Sequence, residues 1–272
     1  MTWNHFPIFV ILSLLPALLG AVLAWRSPRV SKSSLVCSGV AVIVFCVFVA
    51  GLWLSLGRPP LRTLGETRLW YSLFMLIAGM WVYRREGYRW MPSISLVIAT
   101  VFMIVNLLKP DLHDQSLMPA LRSFWFVPHV TSYIFSYSLF GCAFLLAVLG
   151  LWQRSDAYLP SADRLVRTAF IFLTFGLLSG CVWAKQAWGT YWSWDPKETW
   201  GAATWAAYLV YVHWRLTATK HKKNEKNQQK NILSHADNAY LWLVLGFALL
   251  QMCWYGADLL PAVQDSMHRY AG

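Results

Sequence analysis

The chain has 272 residues, of which 57% are hydrophobic and only 13% are charged, and its formal net charge is +11. This apolar content exceeds that of an ordinary soluble domain and indicates a protein that crosses a membrane several times. The positive charge could suggest a nucleic-acid partner, but no basic face or soluble nucleic-acid-binding motif accompanies it, so we predict no nucleic-acid binding.

Eight apolar runs follow one another along the chain, and a helix needs about 20 apolar residues to cross the hydrocarbon core. They lie near residues 6–25, 34–56, 68–83, 90–108, 129–152, 165–184, 197–215 and 238–258, the third being the shortest. We predict an all-α polytopic membrane protein with about eight transmembrane helices. The first four helices form an N-terminal membrane region, residues 1–110, and residues 111–272 form a second membrane region.

Lysine and arginine residues are distributed unevenly over the loops between these runs. The loops at 26–33, 84–89, 153–167 and 215–235 contain 15 of the 23, and the opposite set of loops contains the other 8. Because basic loops stay on the cytoplasmic side, this bias predicts that both termini lie on the outer (periplasmic or extracytoplasmic) side. Residues 216–236 then form a basic inner loop, to which we assign no chemistry.

Residues 183–200, WAKQAWGTYWSWDPKETW, contain five tryptophans between two apolar runs. We call them the Trp-rich segment, and the charge bias predicts that they lie at the outer membrane surface. An interfacial aromatic belt would explain a few such rings, whereas this density favours contact with a flat, apolar ligand that has a polar edge. Trp188 and Trp192 are predicted to share one face of a helical turn, and Gly189 to allow close backbone approach. The candidate ligand contacts are Trp188, Gly189, Tyr191, Trp192 and Trp194.

The Trp-rich segment contains the start of a helix in its sequence DPKE. Asp195 is predicted as the N-cap, Pro196 as the first helical residue and Glu198 as the third, which together make a capping box. Direct contact between Asp195 and a ligand is the alternative interpretation. Capping accounts for both the residue types and their spacing.

Three histidines lie in places where an imidazole could serve a ligand. His129 follows Pro128 at the outer start of the fifth run, and His268 lies in the outer C-terminal tail. Two neutral imidazoles on opposite sides of a plane suit the axial positions of an iron porphyrin, although each could instead be a histidine that only hydrogen-bonds to its surroundings. His213 lies about 26 Å deeper than Pro196 along the seventh helix. There it marks either a transport path facing the bundle interior or an inner interfacial belt.

The run from Trp183 to His213 resembles the WWD domain of the cytochrome c assembly family. Its DPKETW continuation is similar to the CcsA/ResC branch, which serves system II cytochrome c biogenesis. The CcmC branch of system I shares the pattern WGxxWxWD, but it has six spans and a different continuation. The specific resemblance covers about residues 125–272.

The resemblance implies an enzyme of the holocytochrome c synthase (haem lyase) type that handles haem b as its substrate. It carries the two outer iron ligands onto His129 and His268, and a transmembrane iron ligand onto His213. The tail sequence HRY departs from the family's HSY at Arg269 but keeps the histidine. The Trp-rich segment, including Asp195, would bind the porphyrin between the outer ligands.

The resemblance also implies partners and a location. The partners are a CcsB/ResB-like membrane protein that supplies a further transmembrane histidine, apocytochrome c and a thiol-reducing protein. The location is the bacterial cytoplasmic (inner) membrane, or the thylakoid membrane of a plastid. A haem exporter or chaperone of the CcmC type without ligase activity is one alternative function. A regulatory membrane protein that uses haem only for folding or for contact with a tetrapyrrole enzyme is another.

Overall fold

The computed structural model describes residues 1–113, 119–221 and 229–256, and within them every regular element is helical. The long helices are α1 (Phe6–Arg26), α2 (Lys32–Leu56), α3 (Leu64–Glu86), α4 (Met91–Leu108), α5 (Phe126–Gln153), α6 (Leu159–Trp188), α7 (Pro196–His221) and α8 (Gln229–Gln251), and a π-helical turn at Met252–Gly256 follows α8. Each predicted apolar run coincides with one of these helices, so the all-α class is confirmed.

Local sequence signals explain where several helices begin and end. Thr63 and Glu66 form a capping box at the start of α3, and Ser31 caps α2 through its hydroxyl. Gly57 and Gly87 end α2 and α3 in the left-handed conformation, at φ 63° and 76°. Glycine adopts such a conformation without the steric cost of a Cβ atom, which is why it commonly ends helices.

Six helical stretches in the described residues are long and apolar enough to cross a membrane: α1 with its preceding turn, α2, α4, α5, α6 and the stretch Ala236–Gly256. The helices α3 and α7 are not among them. In α3 the charged residues Arg84, Arg85 and Glu86 stand at the end of the helix. In α7 many tryptophan and tyrosine residues lower the mean hydropathy. The chain is therefore a multi-pass membrane protein by its helices, and the two further spans remain predictions.

The chain divides into two compact units, of which the first comprises Met1–Arg122. In this unit α1 packs against α2 and α4, and α3 packs against the same two helices. Aromatic side chains fill its centre, where Phe48 contacts Phe6 with ring centroids 5.2 Å apart. The Asn106 side-chain amide donates to the Gly65 carbonyl oxygen over 2.9 Å, so the last turn of α4 lies beside the first turn of α3.

The second unit begins at Ser123, and α5 lies at its centre between α6 and α8. The Phe140 ring of α5 stacks on the Tyr208 ring of α7 with centroids 3.7 Å apart. The Sγ atom of Cys253 lies 3.6 Å from the Lys197 carbonyl oxygen. This contact places the π-helical turn beside the first turn of α7, where the Trp-rich segment ends.

Candidate functional site

His129 lies in the first turn of α5 and its imidazole is half-buried against α6. Its Nδ1 is 2.8 Å from the Gly176 carbonyl oxygen. A carbonyl oxygen only accepts hydrogen bonds, so Nδ1 carries the proton and the lone pair of the neutral ring is on Nε2. This arrangement of one donating and one ligating nitrogen is the one that metal-bound histidines use.

One face of α6 is shaped to receive the His129 ring. Gly176 and Gly180 are four residues apart, so they lie on the same face of the helix as Trp183. A Cβ atom on Gly180 would lie 2.6 Å from Nδ1 and 2.7 Å from Cε1 of His129, so only glycine leaves room for the imidazole. The buried Trp183 ring stacks on the His129 ring with centroids 5.4 Å apart at 23°, and Trp188 packs edge-on against Trp183 at 4.7 Å.

The helix α6 ends at Trp188, and this end corrects one prediction. Gly189 has φ 84°, and its amide N–H donates to the Lys185 carbonyl oxygen. The Lys185 ammonium group donates to the Gly189 carbonyl oxygen over 2.7 Å and lies 5.4 Å above the Tyr191 ring. Because the helix stops here, Trp192 is not helical and does not share a helical face with Trp188. The left-handed turn favours a glycine at position 189 whether or not a ligand approaches it.

Trp192 and Trp194 form a second ring cluster in the extended stretch before α7. Their centroids are 5.7 Å apart at 84°, and Trp194 is 71% exposed. The Trp192 Nε1 atom is buried and has no acceptor among the described residues. Trp194 has φ 61°, a conformation that costs a bulky side chain about 1–3 kcal/mol. Such strain in an exposed aromatic residue is typical of a functional position.

The predicted N-cap at Asp195 and the return bond from Glu198 to the Asp195 amide are confirmed, with the Asp195 side chain accepting from the second helical amide. The carboxylate of Asp195 accepts from the Lys197 amide N–H over 3.0 Å. The Glu198 carboxylate accepts from the Asp195 amide over 3.2 Å, and from the amide and hydroxyl of Ser193 over 2.8 and 3.2 Å. Both carboxylates are buried. These bonds give Asp195 and Glu198 a structural role at the start of α7, where carboxylates also interact favourably with the helix dipole.

His213 lies on α7, and its orientation contradicts one of the two interpretations given above, the one in which it faces the bundle interior. Its side chain is exposed, and Nδ1 lies 3.0 Å from the Leu209 carbonyl oxygen, so the lone pair is again on Nε2. Tyr211 and Arg215 determine this orientation. Residues two apart lie on nearly opposite sides of a helix, and these two face inward.

The inward-facing residues of α7 bind one carboxylate of α6. Tyr211 donates its hydroxyl to Asp163 over 2.7 Å, and Arg215 forms a bidentate pair with the same carboxylate over 2.8 and 3.0 Å. The side chains of Asp163 and Arg215 are each 15% exposed. This network had no counterpart in the sequence predictions, although two ionisable residues at the ends of apolar runs were a signal for it.

The second unit therefore brings together His129, Trp183 and Trp188 at one end of α5 and α6. Lys185 and Tyr191 continue this surface. His213 belongs to a different part of the unit, about 26 Å from the start of α7. His268 lies outside the described residues. No group of three or more histidine, cysteine or acidic side chains that could hold a metal ion occurs in the part of the chain that the structure describes.

These features define a helical membrane protein in which aromatic side chains surround His129, a histidine whose Nδ1 donates to a backbone carbonyl oxygen. The profile of the family described as cytochrome C assembly protein matches residues 62–263, so the chain belongs to that family. It is 30% identical over 253 residues to the cytochrome c biogenesis protein CcsA of Chlamydomonas reinhardtii. That match covers 85% of this chain and 66% of the relative's length.

Two further relatives have a slightly lower identity. The CcsA proteins of Cuscuta reflexa and Lemna minor are each 28% identical to this chain, over 264 and 266 residues. The matches cover 82% and 76% of this chain, and 81% and 78% of the relatives. The predicted resemblance to the CcsA-like branch is thereby confirmed, and a role in cytochrome c biogenesis follows from it.

Proposed function

We propose that the chain is the haem-handling subunit of a system II cytochrome c synthase. It receives haem through the membrane and presents it at the outer face for thioether attachment to the CxxCH segment of apocytochrome c. The observation that carries this proposal is the geometry of His129, whose Nδ1 bond to Gly176 fixes the neutral tautomer with its lone pair on Nε2, the form in which histidine binds iron. The ring lies against Trp183 at the edge of the Trp-rich segment.

At the outer site, His129 and His268 bind the iron of haem b from opposite sides. The porphyrin contacts Trp188, Gly189, Tyr191, Trp192, Trp194 and Asp195. Two features support these contacts: the Trp192 N–H has no acceptor among the described residues, and the exposed Trp194 ring is held in a strained conformation. For Asp195 the contact is additional to its role at the start of α7.

His213 holds haem at a site within the membrane, together with a histidine of the partner. Its exposure and the Nε2 lone pair support this proposal, because a ligand from another chain must approach from outside. The partner is a CcsB/ResB-like membrane protein. The region from residue 111 onward handles haem, and the eight helices all cross the membrane with both termini outside. The membrane is the bacterial cytoplasmic membrane, or the thylakoid membrane in a plastid.

The protein contributes orientation to the reaction, and the haem contributes the reacting vinyl groups. Each cysteine thiol of apocytochrome c adds across one vinyl group, so that sulfur bonds to one carbon and the thiol hydrogen is transferred to the other. This addition is redox-neutral but requires free thiols. A thiol-reducing partner keeps the two cysteines reduced before they react.

An absorption spectrum of the chain purified with its partner tests the outer ligands. We expect bound haem with a six-coordinate, low-spin spectrum, which His129→Ala and His268→Ala should each lose and added imidazole should restore. His5→Ala is the matched control, because His5 lies in the first unit and its ring hydrogen-bonds to Thr2 among the residues that the structure describes. If both variants keep the parental spectrum without imidazole, the ligand assignment is wrong.

Two further measurements separate the transmembrane site and the ligase activity. In His213→Ala we expect little haem at the outer site even with imidazole, because delivery fails, and normal loading would exclude the role of His213. Formation of covalent cytochrome c from this chain and its partner, in a host without its own assembly system, separates a synthase from an exporter of the CcmC type. An exporter would load haem but form no thioether.

A further inference from the structure

A group of arginines lies at one end of the first unit, where α2 ends and α3 begins. The connecting residues 57–63 include Arg58 and Arg62, and Arg122 ends the unit. The Asn106 bond to Gly65 brings the last turn of α4 to the same end.

Glu66 is the carboxylate at the centre of this group, and its oxygens are already occupied. They accept from both terminal nitrogens of Arg58 over 2.9 and 2.8 Å, and from the amides of Arg62 and Thr63 over 2.6 and 3.2 Å. The Glu66 side chain is 1% exposed. One buried carboxylate thus neutralises Arg58 and caps α3, and it makes no bond to the guanidinium group of Arg62.

Arg62 and Arg122 are two cations of this end whose guanidinium groups Glu66 does not bind. Arg62 is half-buried, Arg122 is exposed, and neither guanidinium group makes an ion pair in the described residues. Burial lowers the pKa of Arg62, and repulsion from Arg58 and Arg122 lowers it further, against the attraction of Glu66. Arg58 and Arg122 are therefore both close enough to Arg62 for their charges to act on it. Because arginine stays charged at physiological pH, this group attracts an anion.

An apolar surface adjoins the arginines. Trp53, Leu54 and Leu56, in the last two turns of α2, are 42%, 83% and 37% exposed and precede Arg58 by two to five residues. Tryptophan is typical of the level at which lipid headgroups meet acyl chains. A ligand that suits both surfaces has a negative headgroup and long apolar chains, which an acidic peptide lacks.

We propose that Arg62 and Arg122 bind the phosphate group of an anionic membrane lipid whose acyl chains lie on the Trp53 and Leu54 surface of α2. Arginine pairs with phosphate through two parallel hydrogen bonds, which gives geometric as well as electrostatic preference. We expect each arginine that pairs with the phosphate to contribute about fivefold to the affinity, which corresponds to about 1 kcal/mol.

Native mass spectrometry of the detergent-purified protein measures this binding. The probes are dioctanoyl phosphatidylglycerol, dioctanoyl phosphatidylcholine and inorganic phosphate. We expect preferential binding of phosphatidylglycerol, reduced about fivefold in Arg62→Gln or Arg122→Gln and about 25-fold in the double variant. Arg29→Gln is the matched control, because Arg29 is an exposed arginine between α1 and α2, at the other end of this unit.

Several outcomes would overturn the proposal. These are equal binding of the two lipids, an unchanged affinity in the double variant, and an equal loss in the control. If inorganic phosphate binds as tightly as phosphatidylglycerol, the site takes a free anion and the lipid assignment is wrong. Preference for a polyglutamate peptide would indicate a protein partner instead. Arg62→Lys/Arg122→Lys guards against misfolding, because it keeps both charges and should keep most of the lipid preference.

Discussion

Substituting Gly180 by alanine tests whether the placement of His129 matters. The new Cβ would lie 2.6 Å from Nδ1 and 2.7 Å from Cε1, whereas such atoms normally stay about 3.5 Å apart. The imidazole must therefore move by about 0.8 Å, enough to stretch its 2.8 Å bond to Gly176 beyond hydrogen-bonding range. Overpacking of this kind costs about 1–3 kcal/mol, and a misplacement near 1 Å can reduce a positioned reaction about 100-fold.

We expect Gly180→Ala to lower the haem content and the yield of covalent cytochrome c, as measured by absorption and by haem staining. Helix propensity alone would make Gly180→Ala more stable than the parent protein, because alanine favours a helix over glycine by about 1 kcal/mol. Gly201→Ala is the matched control in α7, since its Cβ would make ordinary contacts of 3.6 Å to Tyr133 and 3.8 Å to Cys253. Parental haem content in Gly180→Ala, or an equal loss in the control, would refute the reasoning.

Substitutions at three further positions test other parts of the second unit, with thermal unfolding as the measure of stability. Asp163→Asn leaves the largely buried Arg215 without its carboxylate and should destabilise the protein by about 3–5 kcal/mol, whereas an unchanged midpoint would show that the pair contributes nothing. Glu198→Gln removes the charge that accepts from three donors at the start of α7 and should cost about 0.5–2 kcal/mol, while an equally stable variant would contradict the capping role. Trp194→Gly should raise stability by about 1 kcal/mol and weaken haem binding, whereas Trp194→Ala should weaken binding without that gain; equal stability of the two would exclude strain at this position.

The features that could be predicted from sequence are those that depend on neighbouring residues. The eight helices follow from the length of the apolar runs, and the start of α7 follows from Asp195, Pro196 and Glu198. In each case the determining groups lie within a few residues of one another, as a capping box requires. The sequence also indicated that His129 and the Trp-rich segment lie at one membrane surface, and ring contacts in the second unit bring them together.

Features that depend on packing between helices were missed. The glycine pair at positions 176 and 180 was not assigned a role, because its partner is a ring 47 residues earlier in the chain. Its spacing of four residues was the available signal, since small residues at that interval let helices approach closely. The end of α6 at Trp188 was missed for another reason. A glycine such as Gly189 can either continue a helix or end it, so its residue type does not show where the helix stops. Its left-handed conformation in the structure ends α6 there.

The orientation of α7 connects this packing to the proposed transfer of haem. Tyr211 and Arg215 are both bonded to Asp163 of α6, which fixes the rotation of the helix about its axis. His213 lies between them in sequence, so its exposed ring points away from α6 and away from the centre of the unit. An iron atom bound to its Nε2 would then have to take its second axial ligand from outside the described part of the unit. If the proposed function is right, the orientation that Asp163 fixes for α7 requires a histidine of a partner to reach the exposed face of this helix.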